Sequence, residues 1–181
     1  MSTHQTKMLT SVLKKHKTAF AWDYSDMKGL HPELCTHHIY TKYNWRPIRQ
    51  PQCRMNLALI EVVKEEIQKL LAANFIYPIS YSKWVSPLLI VPKKNVKWCI
   101  CVDYRELNKD THKDHFSLPF IGQLLDMLVG KKYFSFMDGF IGYNHIRIAP
   151  YDQKKMTFTC PWGTFACRVL PFILWNALAT F

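Results

Sequence analysis

Asp138 lies in the stretch Tyr133-Phe-Ser-Phe-Met-Asp-Gly-Phe-Ile-Gly-Tyr143. An apolar, aromatic run of strand type delivers a single carboxylate there, and Gly139, Gly142 and Tyr143 follow at once. Carboxylate oxygens are hard ligands suited to a divalent cation, and glycines let backbone N–H groups come close to a phosphate. The chemistry implied is metal-assisted handling of a phosphate at a strand end. A two-metal reaction needs a second carboxylate cluster. The chain contains no Asp-Asp pair.

The charge balance points the same way. The 181 residues carry 24 Lys and Arg against 13 Asp and Glu, a formal net charge of +11. Such a surplus favours polyanionic partners, with nucleic acid first among them. Apolar residues make up 49% and aromatics 14%, a globular composition and not a disordered one. No run reaches the roughly 20 apolar residues of a membrane span, so no membrane partner is expected. The first residues, Met1-Ser-Thr-His-Gln-Thr-Lys7, lack the apolar core of a secretory signal, so an intracellular, non-secreted protein is expected. Cys35, Cys53, Cys99, Cys101, Cys160 and Cys167 form no C-x-x-C pair, and with His37 and His38 they fit no standard zinc spacing. Reduced, scattered thiols are expected, with Cys99 and Cys101 alternating onto one side of a strand.

The elements that must hold these residues can be read in order. Met8, Leu9, Val12 and Leu13 have helical spacing among lysines, which predicts a basic amphipathic surface helix. Residues 41–56 are extended and basic, with Pro47 and Pro51 blocking a helix. Asn56 is a cap for a helix over about 57–73, with Leu59, Val63, Ile67, Leu70 and Leu71 on one face. Residues 84–91 and 98–102 form a hairpin with a lysine-rich tip at 92–97. Pro119 starts a helix through Ile121, Leu124, Leu125 and Leu128, and Gly130 closes it. The Asp138 strand comes next. Residues 156–160 and 164–169 flank Pro161-Trp-Gly163 as a second hairpin, and a helix begins near Asn176.

Together the motifs resemble a reverse transcriptase of the type encoded by gypsy-class LTR retrotransposons, especially those of plants. The resemblance rests on Arg49-Gln-Pro51, Tyr77-Pro-Ile-Ser80, Trp84-Val-Ser-Pro87, Val91-Pro-Lys-Lys94, Val102-Asp-Tyr-Arg-Glu-Leu-Asn108 and Lys113-Asp-His-Phe116. It continues through Phe136-Met-Asp-Gly139, Thr157-Phe-Thr-Cys-Pro-Trp-Gly-Thr-Phe165 and Asn176-Ala-Leu-Ala-Thr-Phe181, so it spans about residues 36–181. It implies an α+β fold: the fingers and an incomplete palm of a right-hand polymerase, an antiparallel sheet with packed helices. Residues 1–40 are expected as a connector-like lead segment, 41–110 as fingers and 111–181 as partial palm.

The resemblance also implies roles. Asp138 matches the family's first catalytic, metal-binding aspartate, with Mg²⁺ as cofactor. Gly139, Phe140 and Ile141 would turn backbone N–H groups to a deoxynucleotide triphosphate, and Tyr143 would lie under its sugar. Lys93 and Lys94 would approach its phosphates. Arg46, Arg49, Arg54, Arg105 and Asn108 are the candidates for contact with an RNA/DNA primer–template. The expected function is RNA-templated DNA synthesis by a retrotransposon polyprotein, with the Asp-Asp motif and the C-terminal polyprotein domains beyond residue 181. On that reading the chain alone is inactive. The alternative is a basic nucleic-acid-binding fragment with no catalysis. Departures from the family pattern include Cys99 in place of an arginine, Ile173 and Leu178 in place of Gly and Pro, Cys167 in place of Tyr, and Trp175 in place of a small residue. They look like drift in a decaying copy.

Overall fold

A computed structural model describes residues 1–92, 98–116 and 120–181. Helix α1 (Thr3–Lys15) opens on a capping box, in which Ser2 and Gln5 exchange side-chain and backbone hydrogen bonds. All of its residues are exposed. Helix α2 (Leu57–Ala72) starts where Asn56 accepts from the Ala58 N–H at 3.1 Å. It ends at Asn74, whose φ of 59° is tolerable for an Asn. The N–H groups of Asn74 and Phe75 return to the carbonyls of Leu71 and Leu70, which closes the helix and turns Phe75 inward. Val63 and Ile67 are its buried face.

Strands β2 (Ile76–Pro78), β3 (Ser86–Pro92), β4 (Trp98–Val102), β6 (Thr157–Cys160) and β7 (Gly163–Cys167) form one sheet in the order β2-β7-β6-β3-β4. The β3–β4 and β6–β7 hairpins are antiparallel, as their sequences predict. The sheet is mixed, because β3 runs parallel to β6 through Ser86↔Phe158 and Pro87↔Thr159. The short strands β1 (Thr36–His37) and β5 (Arg147–Ile148) pair in parallel. Helices α3 (Arg105–Asp110), α4 (Ile121–Asp126) and α5 (Ala177–Thr180) complete the elements. Tyr104, Leu107, Leu88, Phe158, Ile146, Ile148, Met156 and Leu170 are fully buried and form the centre of the core. Among the described residues no helix is long and apolar enough to cross a membrane.

Two expectations fail around Asp138. Residues 133–138 form no strand. No described strand lies beside them, and strand-type residues without a lateral hydrogen-bonding partner have nothing to hold them extended. Phe136 and Met137 are accordingly 93% and 87% exposed. Helix α4 also stops at Asp126, four residues short of Gly130, and its apolar residues Ile121, Leu124 and Leu125 are exposed. Turns carry the chain on to Gly130, which has φ +80°. Pro119 and residues 93–97 of the hairpin tip lie outside the described residues.

His37 links β1 to α5, with Nδ1 2.8 Å from Thr180 Oγ1. Burial holds its imidazole neutral and pushes its pKa down to about 4, against a partial pull upward from Asp152. The unfolded chain therefore takes up a proton that the folded chain refuses. Stability should be complete above pH ~6.5 and fall as pH drops from there towards 4. Urea midpoints measured across that range should show the loss, and His37→Asn, which keeps a polar group near Nδ1 without titrating, should flatten it.

Candidate active site

Asp138 sits exposed in irregular backbone and makes no hydrogen bond or ion pair with any described residue. The turn that follows is well defined. Gly142 N–H donates to the Gly139 carbonyl at 3.0 Å, and Asn144 N–H donates to the Ile141 carbonyl at 2.9 Å. A tight helical turn over Gly142–His145 leads into β5. His145 Nε2 lies 3.3 Å from the Phe140 carbonyl, and the His145 carbonyl accepts from Leu30 N–H at 2.7 Å. The turn is thus fastened to the lead segment.

Ile141 occupies the left-handed region at φ 46°, ψ 47°. For a β-branched residue that conformation is an outlier that costs on the order of 1–3 kcal/mol. The N–H groups of Gly139, Phe140 and Ile141 donate to no acceptor among the described residues. Successive free N–H groups beside an αL residue make a concavity suited to an anion.

Tyr143 is half-buried next to this turn. Its ring lies 5.2 Å from Phe172, nearly edge-on, and 4.7 Å from Phe181. A Cβ at Gly142 would come within 2.7 Å of the Phe181 ring, so the present packing has no room for one unless that ring shifts. The motif reading gives neither Phe172 nor Phe181 a role at the site, although Phe181 ends the Asn176–Phe181 run. Their aromatic character was visible, but nothing in the spacing announced that they meet Tyr143.

The structure brings Asp138, Gly139, Phe140, Ile141 and Tyr143 onto one loop. It gives the other candidates separate settings. Lys93 and Lys94 lie outside the described residues. Arg46, Arg49 and Arg54 are exposed along the extended segment, where Gln50 N–H and the Ile48 carbonyl both bond to Val85. The Arg49 guanidinium stands 5.4 Å over the Tyr81 ring and borders a cleft of about 370 Å³ lined by Gln50, Val85, Thr159 and Thr164. Arg105 is exposed yet committed to Asp103: Nη2 is 2.6 Å from Oδ2 and Nε is 2.8 Å from Oδ1. That guanidinium holds the buried Asp103 carboxyl below the usual carboxylate range. The amide of Asn108 is used on both sides, donating to the Ile173 carbonyl at 3.1 Å and accepting from Trp175 N–H at 3.0 Å.

A magnesium ion takes hard oxygen ligands, often one or two carboxylates with substrate phosphates completing the shell. Asp138 is a fitting donor of that kind. Among the described residues no group of three or more His, Cys, Asp or Glu converges, so the ligand set is partial.

No family model matches the chain. Its sequence is 30% identical over 190 residues to the retrovirus-related Pol polyprotein from transposon 412 of Drosophila melanogaster, covering 94% of this chain and 15% of that protein. It is 43% identical over 82 residues to an RNA-directed DNA polymerase homolog of Oenothera berteroana, covering 45% of this chain and 58% of that protein. The fold matches the prototype foamy virus protease–reverse transcriptase with a TM-score of 0.83, at 23% identity over 98% of this chain and 23% of that one. It matches a foamy viral protease–reverse transcriptase in complex with double-stranded DNA at 0.80, with 23% identity, over 100% of this chain and 31% of that one. The α+β fold is therefore the one seen in these reverse transcriptase structures. The relatives by sequence are a retrotransposon polyprotein and a polymerase homolog, of which this chain spans 15% and 58%.

Asn108→Ala removes two hydrogen bonds that fix the 173–175 backbone. It should lower unfolding free energy by about 1–2 kcal/mol. Asn108→Asp keeps the acceptor for Trp175 N–H but sets a carboxylate oxygen against the Ile173 carbonyl, so it should recover little of that loss. Urea denaturation of both variants against the parent chain checks the order.

Proposed function

We propose that this chain is the fingers and first part of the palm of a reverse transcriptase from a gypsy-class LTR retrotransposon of plant type. In that enzyme the loop from Asp138 to Tyr143 would receive a magnesium-bound deoxynucleotide. The observation that carries the reading is the loop itself. A carboxylate and three consecutive N–H groups with no partner among the described residues, and a buttressed tyrosine, stand within six residues. The order of the sequence motifs supports the class, and the Oenothera relative supports the plant type.

The Asp138 carboxylate would hold the ion. Bound magnesium would lower the pKa of the attacking hydroxyl and offset charge on the leaving pyrophosphate. The N–H groups of Gly139, Phe140 and Ile141 would take phosphate oxygens, and Tyr143 would bear on the sugar. Primer–template nucleic acid would run along the basic surface that includes Arg46, Arg49 and Arg54, whose phosphate contacts give affinity without reading sequence. One carboxylate does not hold two ions in place, so this chain by itself is proposed to bind without catalysing.

Two measurements test the proposal. Primer extension on a homopolymer RNA template with Mg²⁺ should give no incorporation above that of Asp138→Asn. Incorporation clearly above that control would overturn the claim of inactivity. Fluorescence anisotropy with a labelled primer–template should show binding that weakens steeply with salt. Replacing Arg46, Arg49 and Arg54 by Ala should reduce the salt slope by about one for each phosphate that is no longer neutralised. An unchanged slope would remove those residues from the interface.

A further inference from the structure

Another cleft lies between strand β1 and the stretch 112–114, and no residue of the Asp138 loop lines it. It holds about 360 Å³, within the range of sites that enclose small ligands. Backbone pairing fixes its border. Thr41 bridges Thr111 in antiparallel fashion, and His112 N–H donates to the Tyr40 carbonyl at 2.8 Å.

Part of the lining is aromatic. The rings of His38 and Tyr40 lie near-parallel with centroids 5.9 Å apart, and His38 Nδ1 sits 2.6 Å from the Tyr151 hydroxyl. Tyr40 and Tyr151 are nonetheless 64% and 67% exposed. Another part carries charge. Lys113 Nζ stands 4.3 Å over the ring of Trp175, the neighbour of the lining residue Asn176. Asp114 is the one acid among the described lining residues, set against Lys113 and the imidazoles of His37, His38 and His112. Uncharged hydrogen-bonding groups complete the set. His37 is 3% exposed and meets the Thr180 hydroxyl through Nδ1. Asn176 gives one N–H to the His112 carbonyl and accepts Asp114 N–H, which leaves one donor and one acceptor position of its amide open.

These features select a class of ligand. Exposed rings offer a flat face on which a base can stack, and cations beside them draw in the phosphate backbone. A base within a duplex already has both faces stacked, so a site of this kind takes bases that are unpaired. We infer that this cleft is a stacking site for an unpaired base of single-stranded nucleic acid, with Tyr40 as its platform. It shares a partner class with the proposed function but none of the residues given a role there, so each can fail without the other.

The test uses the full-length chain and a fluorescein-labelled oligothymidylate of about 12 nucleotides, a length within the usual site sizes for single strands. A labelled duplex of the same length is the comparison, and both are read by anisotropy. Tyr40→Ala should weaken single-strand binding about tenfold and leave duplex binding within about twofold. Tyr40→Phe, which keeps the ring, should restore single-strand affinity. Photo-cross-linking of the parent chain to a 5-bromouracil oligonucleotide gives a second readout that depends on no variant. Trypsin cleavage after Lys28 and Lys42 releases Gly29–Lys42, which contains His37, His38 and Tyr40, and this peptide should carry the cross-link. Absence of single-strand binding by the parent at low salt would overturn the site. So would unchanged single-strand affinity in Tyr40→Ala, an equal loss for the duplex, or cross-links that avoid Gly29–Lys42.

Discussion

The buried carboxylate of Asp152 is the constraint on which the placement of the site depends. It is 1% exposed. Its Oδ2 accepts the Ile39 N–H at 3.0 Å, while Oδ1 faces the Lys155 ammonium at 2.7 Å. Lys155 in turn donates to the Ile39 carbonyl at 2.7 Å. One acid and one base thus grip both polar groups of a single peptide residue from a distant part of the chain. Removing one partner from a buried ion pair costs far more than the pair itself contributes, because a charge is left unmatched. The grip holds β1 against β5, a pairing of only two residues on each side. Strand β5 follows the Gly142–His145 turn after a single residue, so the clamp also fixes where Tyr143 stands.

From the other side, two asparagines fasten the segment that supports Tyr143. Asn108 holds the backbone at Ile173 and Trp175. Asn176 donates to the His112 carbonyl and accepts from Asp114 N–H. Both tie residues 173–176 to the stretch around α3. Phe172 and Phe181 flank that stapled segment, and their rings enclose Tyr143. Asn108 acts, on this geometry, as a positioning residue whose effect reaches Tyr143 through neighbouring aromatic packing. Its amide is used once on the nitrogen and once on the oxygen, which leaves one donor and one acceptor position open.

What was legible in the sequence follows a physical rule. Local signals held: Asn56 caps α2, the alternation in 98–102 pairs with β3, and Pro161-Trp-Gly163 turns β6 into β7. Each depends on residues close in sequence. The reading failed where structure depends on a distant partner. Residues 133–138 have strand composition, yet a strand exists only beside another strand, and composition does not say whether one is present. The parallel pairing of β3 with β6 was hidden for the same reason, since it joins residues 86–87 to 158–159. Asp152 gave no signal either, because a lone Asp before Gln-Lys-Lys reads as an exposed turn until the fold buries it.

The two halves of the candidate site are therefore unequal in preparation. The turn proposed to receive an anion is built: Ile141 stores strain in a left-handed conformation, its neighbours' N–H groups meet no acceptor among the described residues, and His145 ties the turn to Leu30. Strain of that kind persists only where surrounding contacts outweigh it. The segment proposed to hold a metal is not built. Asp138 stands one residue before the fixed turn, on a segment with no described strand beside it and an uncovered apolar face. A carboxylate on such a segment samples many positions, and ordering it costs conformational entropy that a preorganised ligand set avoids. Any surface that paired with 133–138 would extend the segment and cover Phe136 and Met137. It would also aim the Asp138 carboxylate by the same act, so on the proposed reading any ion held there would be coupled to strand pairing at residue 138.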